Sequence, residues 1–281
     1  MPPGLVNIVP GCGETAGAAL AAHPDVDKVA FTGSHLTGQL IVQASAGDLK
    51  RVSLELGGKS PGIVFADADL DTAVPGAGMA VFANSGRICS VGTRVFVERR
   101  VYDEFVGRVA DFGRSLKVGN RLDPDTQISP LVSEQQLERI TGYFAIGRQE
   151  GARPVADGER LTEGPYAKGF FVPPTVFADV KDGMRIAREE IFGPVISTIP
   201  FTDVEEVIRR GNATNFGLGS GAWTRDGSRR AVRRPQDERL WPRVRHPADG
   251  RTPERQDGLD QDGLNGRLGG AAASALEAAD A

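Results

Sequence analysis

The chain has 281 residues, 40% of them hydrophobic and 25% charged, and carries a formal net charge of −4. That length allows one large domain or two ordinary ones at the usual ~100–200 residues per domain, and mild acidity offers no electrostatic reason to bind nucleic acid or an anionic membrane. Two cysteines are too few for a disulfide framework, and His23, His35 and His246 are too scattered for a metal cluster. No apolar run approaches a membrane span, and Met1-Pro2-Pro3-Gly4 has no signal-peptide character. A cytoplasmic location, which keeps a thiol reduced, is the resulting expectation.

Taken in order, Leu5-Val6-Asn7-Ile8-Val9 reads as a short strand, with Pro10-Gly11-Cys12-Gly13 as its turn. An Ala-rich helix over 15–22 is stopped by His23-Pro24. Val29-Ala30-Phe31-Thr32 then reads as a strand, Gly33-Ser34 as a turn and 39–46 as a helix. Strand, Gly-Ser turn and helix in that order can hold an anion on the helix N-terminus, although Ser34 also fits a plain N-cap. Val52 and Leu54 alternate along a strand that ends at Glu55 and runs into Gly57-Gly58. Ile63-Val64-Phe65 is a further strand, followed by a helix over 70–83 with Pro75 near its start.

Asn84-Ser85-Gly86-Arg87-Ile88-Cys89 closes that block on a thiol, the strongest ordinary nucleophile near neutral pH; a carboxylate such as Glu55 can serve as its base or as a base for water. The strand 93–97 and the helix 102–116 follow, the latter with Phe105, Val109, Phe112 and Leu116 on one stripe. Ser133 and Gln136 have capping-box spacing before a helix carrying Leu137, Ile140 and Phe144. Residues 171–177 read as a Pro-interrupted edge strand, Glu189-Glu190 as a charged turn before the strand 195–199, Thr202 with Glu205 as a further helix cap, and Ala222-Trp223 as the end of a strand. Lys59 and Arg94 read as structural ion-pair partners, and Cys12 as inert.

Leu54-Glu55-Leu56-Gly57-Gly58-Lys59-Ser60-Pro61 together with Gly86-Arg87-Ile88-Cys89 resembles the catalytic signature pair of the aldehyde dehydrogenase superfamily, and the likeness extends from about Pro2 to about Asp226. The resemblance implies an α/β fold: part of a Rossmann-type cofactor domain over 1–56 and an incomplete catalytic domain over 57–226. It implies Cys89 as nucleophile and Glu55 as base in the oxidation of an aldehyde to a carboxylic acid with NAD or NADP. It also puts Gly33, Ser34, Gly38 and Leu56 near the cofactor, with Glu190 on the nicotinamide ribose and Phe192 packed near the nicotinamide. Two acceptor oxygens suit a ribose diol. The partner is then a small aldehyde, with neither nucleic acid nor membrane involved and no metal; the family's homo-oligomers pair through strands not recognisable here. In the family a segment precedes Pro2 and carries the first cofactor-domain strands and an Asn that stabilises the oxyanion, so the isolated chain is expected to fold poorly and to turn over little.

From Gly227 onward the composition changes: no Ile, Phe, Tyr, Met or Cys remains, and Arg, Gly, Pro, Asp and Ala dominate. Residues 227–281 are expected to be a disordered tail, such as a reading-frame change in a GC-rich gene would produce. The alternatives are an inactive fragment, a CoA-acylating relative (against which Glu55 at the hydrolytic position argues), and an Arg-rich binding tail, whose nucleic-acid binding would depend on salt. If Cys89 is the nucleophile, iodoacetamide at neutral pH should alkylate it far faster than Cys12. Equal labelling of the two native thiols would remove it from that role.

Overall fold

A computed structural model describes residues 1–156, 158–225 and 227–232. Two sheets organise them. The first pairs β1 (Lys28–Gly33) with β2 (Arg51–Leu56) in parallel, Thr32 standing opposite Glu55. Helix α1 (Ala18–Ala22) and helix α2 (His35–Ser45) lie beside it, α2 packing on β2. Ser34 caps α2 by accepting from the Thr37 N–H at 3.2 Å. The expected strand at Leu5–Val9 is not formed. Leu5, Val6, Ile8 and Val9 are all exposed, and among the described residues no strand pairs with them. An extended segment becomes a strand only when its backbone groups find a partner.

The second sheet has seven strands: β3 (Pro61–Val64), β4 (Arg94–Glu98), β5 (Arg153–Ala156), β6 (Thr175–Ala178), β7 (Val195–Phe201), β8 (Gly219–Thr224) and β9 (Gly227–Val232). Their spatial order is β5-β6-β7-β4-β3-β8-β9, with antiparallel pairs at both edges and parallel pairing between. The parallel interior is buried on both faces, as βαβ crossovers demand. Ile63, Phe96, Phe177 and Ile199 face a core that includes Ile140 and Phe144 of α5 (Glu134–Gln149). Val64, Val95, Val97 and Ile196 face a second core, built on α3 (Leu70–Phe82) and α4 (Tyr102–Ser115). Two short helices, α6 (Arg185–Arg188) and α7 (Val204–Gly211), flank β7.

Several local expectations shift for identifiable reasons. Pro75 lies inside α3, one turn beyond the positions that lack a bonding partner anyway, so it removes one helical hydrogen bond. Strand β6 is interior, not an edge, because Pro173 and Pro174 stop just short of it and leave its donors intact. Helix α7 is capped by Asp203, which accepts from the Glu206 N–H at 2.9 Å, while Glu206 accepts from the Thr202 N–H at 2.8 Å; the capping pair is one residue later than Thr202 and Glu205. Among the described residues, neither Lys59 nor Arg94 forms an ion pair. Arg94 instead donates from Nε to the Lys59 carbonyl at 2.8 Å and from Nη2 to the Gly211 carbonyl at 2.7 Å. Beyond Gly227, where no strand period was expected, residues 227–232 pair antiparallel with β8. The expected disorder of the remaining tail falls outside the described residues.

Candidate active site

Three segments converge at one end of the larger sheet: residues 57–60 enter β3, residues 84–92 enter β4, and residues 189–194 enter β7. These strands are neighbours, with Pro61 opposite Arg94 and Arg94 opposite Ser197. Strand β2 arrives from the other sheet, carrying an exposed Glu55, and its continuation Gly57-Gly58 meets the other two segments. A Cβ on Gly58 would lie 2.6 Å from the Cys89 carbonyl oxygen, and one on Gly57 would lie 2.1 Å from Glu190 Oε2. Only backbone without side chains can approach so closely. The Gly58 N–H donates to Glu190 Oε1 at 3.0 Å.

The Cys89 loop is strained. Asn84 and Ser85 have φ of 51° and 55°, and Gly86 has φ of 74°. Left-handed backbone at non-glycine residues costs about 1–3 kcal/mol each and persists only where its surroundings hold it. Here Ser85 Oγ donates to the Ser129 carbonyl at 2.7 Å, and the Asn84 amide donates to the Arg87 carbonyl at 3.2 Å. At Gly86 a Cβ would lie 2.0 Å from the Gly193 carbonyl group. Facing this loop, Phe192 is itself left-handed, with φ of 61°. Helix α5 secures it: the Gln136 amide donates to the Phe192 carbonyl at 2.7 Å, and Arg139 donates to the Ile191 carbonyl at 3.2 Å and also to that of Glu190. Cys89 is free and partly buried, whereas Cys12 is free and exposed.

Glu190 has one oxygen on Gly58 and, among the described residues, the other without a hydrogen bond, and burial raises its pKa against the opposing pull of Gly58, Arg139 and Lys59. A half-satisfied carboxylate of this kind fits a diol. Gly38 packs its backbone on Leu56, whose Cδ2 a Cβ would approach to 2.8 Å. Leu56 therefore seats α2 on β2, and Ser34, itself exposed, caps the N-terminus of the same helix by accepting from the Thr37 N–H. These residues fit a phosphate-bearing cofactor. Among the described residues, no group of three or more His, Cys, Asp or Glu is placed to hold a metal ion, and no helix is long and apolar enough to cross a membrane.

The model of the aldehyde dehydrogenase family matches residues 1–234. The chain belongs to the aldehyde dehydrogenase family. It is 52% identical over 226 residues to the mitochondrial aldehyde dehydrogenase of Mesocricetus auratus, covering 80% of this chain and 44% of that one. To the human mitochondrial aldehyde dehydrogenase it is 51% identical over 226 residues, covering 80% of this chain and 43% of the relative. The NAD+ complex of aldehyde dehydrogenase from Bacillus cereus superposes with a TM-score of 0.74 at 49% identity, over 77% of this chain and 43% of that one. This aldehyde dehydrogenase-family chain thus spans less than half the length of the relatives it matches.

Sequence reasoning missed the supports of the site. Ser133 does cap α5, accepting from the Gln136 N–H at 3.2 Å, but the Gln136 amide turns away from the cap to hold Phe192. Half of the capping box is thereby diverted to the site. Tyr143, read as part of no motif, donates to Glu189 Oε2 at 2.8 Å. Lys59 was read as an ion-pair partner, yet it is 1% exposed and its Nζ has no hydrogen-bond partner among the described residues.

Two measurements check this geometry. Gly86→Ala combines left-handed strain with an impossible Cβ contact, so it should cost ~3 kcal/mol or more in urea unfolding; a near-neutral result would mean the Gly86–Gly193 contact is absent. The second concerns Lys59, whose pKa falls from the ordinary 10.5 to about 7, through burial first and then repulsion from Arg94, against the attraction of Glu190 and Glu189. Between those two values the unfolded chain holds a proton that the folded chain lacks, so folding stability rises with pH from about 7 to 10.5 and is insensitive to this group below about 7. Lys59→Met should flatten that rise and stabilise the chain at neutral pH, and denaturation at several pH values measures it.

Proposed function

We propose that this chain carries the thiol and base of an NAD(P)+-dependent aldehyde oxidation, with the Leu56–Gly57 junction separating a cofactor-binding portion from a thiol-bearing one. The observation that supports it best is the Gly57-Gly58 turn. Through backbone alone it brings the Glu55 strand, the Cys89 loop and Glu190 together. In this reading the Cys89 thiolate adds to the aldehyde carbon, the C=O π pair moves to oxygen, and the oxyanion of a thiohemiacetal forms. NAD(P)+, when bound, supplies the hydride acceptor that turns this adduct into a thioester. Glu55 then takes a proton from water, whose oxygen attacks the thioester carbonyl and releases the carboxylic acid and the Cys89 thiolate. The Cys89 N–H is an oxyanion donor. Gly33, Ser34 and the N-terminus of α2 receive the cofactor phosphates, Gly38 and Leu56 support that helix, Glu190 accepts from the ribose hydroxyls, and Phe192 packs near the nicotinamide. The substrate is a small aldehyde.

A second reading is an inactive fragment, favoured by the β1–β2 sheet. Neither strand contains a buried residue, whereas parallel sheets normally have both faces covered. One set of assays separates the two. Residues 1–281 are purified and mixed with NAD+ and short aldehydes, and NADH is followed through the first turnover. Turnover that is abolished by Cys89→Ala supports the enzyme. Glu55→Gln should retain an initial NADH burst while slowing the steady rate by about 10²-fold or more, because hydrolysis loses its base and thioester formation does not. Equal loss of burst and steady rate would move Glu55 to the activation of Cys89, and no turnover with any aldehyde would favour the fragment.

A further inference from the structure

Lys59 lies one residue beyond the turn that carries the site, and the mechanism gives it no task. Its side chain is 1% exposed, and its Nζ is buried without an acceptor. The Lys59 carbonyl is held by Arg94 Nε at 2.8 Å, so the backbone here is not free to carry the amine elsewhere. A buried amine without a hydrogen bond is costly, and a methionine would fill a similar volume without that cost. Packing alone therefore gives no reason for an amine at this position.

The charges facing Lys59 are few. Arg94, from β4, repels it, and Glu190 and Glu189, from the segment before β7, attract it, Glu190 the more strongly. Glu189 is already satisfied: it accepts from the Tyr143 hydroxyl at 2.8 Å and from Arg185 Nε at 2.9 Å. Glu190 is not. Among the described residues its carboxylate accepts from the Gly58 N–H alone, and the cations acting on it are Arg139, from α5, and Lys59. Burial favours the protonated acid, which would make one of its oxygens a donor and spoil it as a double acceptor.

We propose that Lys59 is a positioning residue for Glu190: its buried ammonium keeps the Glu190 carboxylate ionised on the Gly58 N–H, with its second oxygen free to accept from a ribose diol. This inference rests on the ribose role proposed for Glu190. The action is strongest on the acid side of neutrality, where Lys59 is protonated and Glu190 most needs help; it fades above about pH 7 as the ammonium is lost.

The test reads Glu190 directly in the full chain. With 13C-carboxyl-labelled glutamate, the Glu190 resonance is assigned by its loss in Glu190→Gln and then titrated. Lys59→Met should raise the Glu190 midpoint by about one pH unit, a tenfold change in its ionisation constant. Lys59→Gln, neutral but polar, should raise it equally; a shift in only one variant would mean repacking and would overturn the inference, as would an unchanged midpoint in both. NAD+ binding by calorimetry supplies the functional arm. Lys59→Met should weaken binding several-fold at about pH 6, match the wild type at about pH 8, and add nothing to Glu190→Gln. Loss of affinity by the same factor at both pH values would indicate a merely structural role for Lys59 and would overturn the proposal. If Glu190→Gln binds NAD+ like the wild type, the ribose reading fails instead, even where the Glu190 midpoint has moved as expected.

Discussion

The site depends on backbone touching backbone. Gly58 lies against the Cys89 carbonyl and Gly86 against Gly193, in each case closer than any Cβ would allow. Contacts of this kind differ from side-chain hydrogen bonds, which can lengthen or rotate. A steric contact between main chains admits no adjustment short of moving whole strands, because the interior behind it is close-packed. The strained residues Asn84, Ser85 and Phe192 lie on both sides of the same contact. Their cost is sustained by directed bonds from outside the loop, Ser85 to Ser129 and Gln136 to Phe192. The loop is thus held in a conformation it would not adopt alone.

The larger sheet explains why these loops can be held. Strands β3, β4 and β7 are adjacent, parallel and covered on both faces, and each of the three site segments is the residue run that enters one of them. Their spacing is therefore set by the ladder hydrogen bonds of the sheet. Strand β2 belongs to the other sheet and carries Glu55 at its own C-terminal end, just before the segment that enters β3. In the proposed reading, the base comes from the end of one sheet and the thiol from the entry of another, and the Gly57-Gly58 turn is the link between them.

Much of this was legible in the residues, and what was not has a common cause. The buried strands around Ile63, Val95 and Ile196 announce themselves as short apolar runs, and the helices by their stripes and caps. The glycines at 57, 58 and 86 marked the turns correctly, but what they abut is set by tertiary register, which no local pattern contains. The same holds for Pro173 and Pro174, which suggested an edge only because their position relative to the first paired residue of β6 was invisible. Leu5–Val9 failed in the opposite direction: it has the composition of a strand and no partner to pair with. Lys59 illustrates the limit most plainly. Lys59 was expected to sit in a structural ion pair, and nothing local says that its chain turns inward to a place without an acceptor among the described residues.

The two halves of the site rest on unequal foundations. Cys89 and Glu190 enter strands of a sheet with two apolar cores, whereas Glu55 stands on a two-stranded sheet in which no residue is buried. An isolated parallel pair has little stability of its own, so β2 alone defines the position of Glu55 poorly. What defines it is the four-residue distance from Glu55 to Lys59, whose carbonyl Arg94 fixes to the larger sheet, with Gly58 anchored between Glu190 and the Cys89 carbonyl on the way. Glu55 is thus located from its C-terminal side, by the same segment that touches the Cys89 loop. Because Gly57-Gly58 bears on Glu190 as well as on the Cys89 carbonyl, the segment that places Glu55 also touches the carboxylate proposed to hold the ribose.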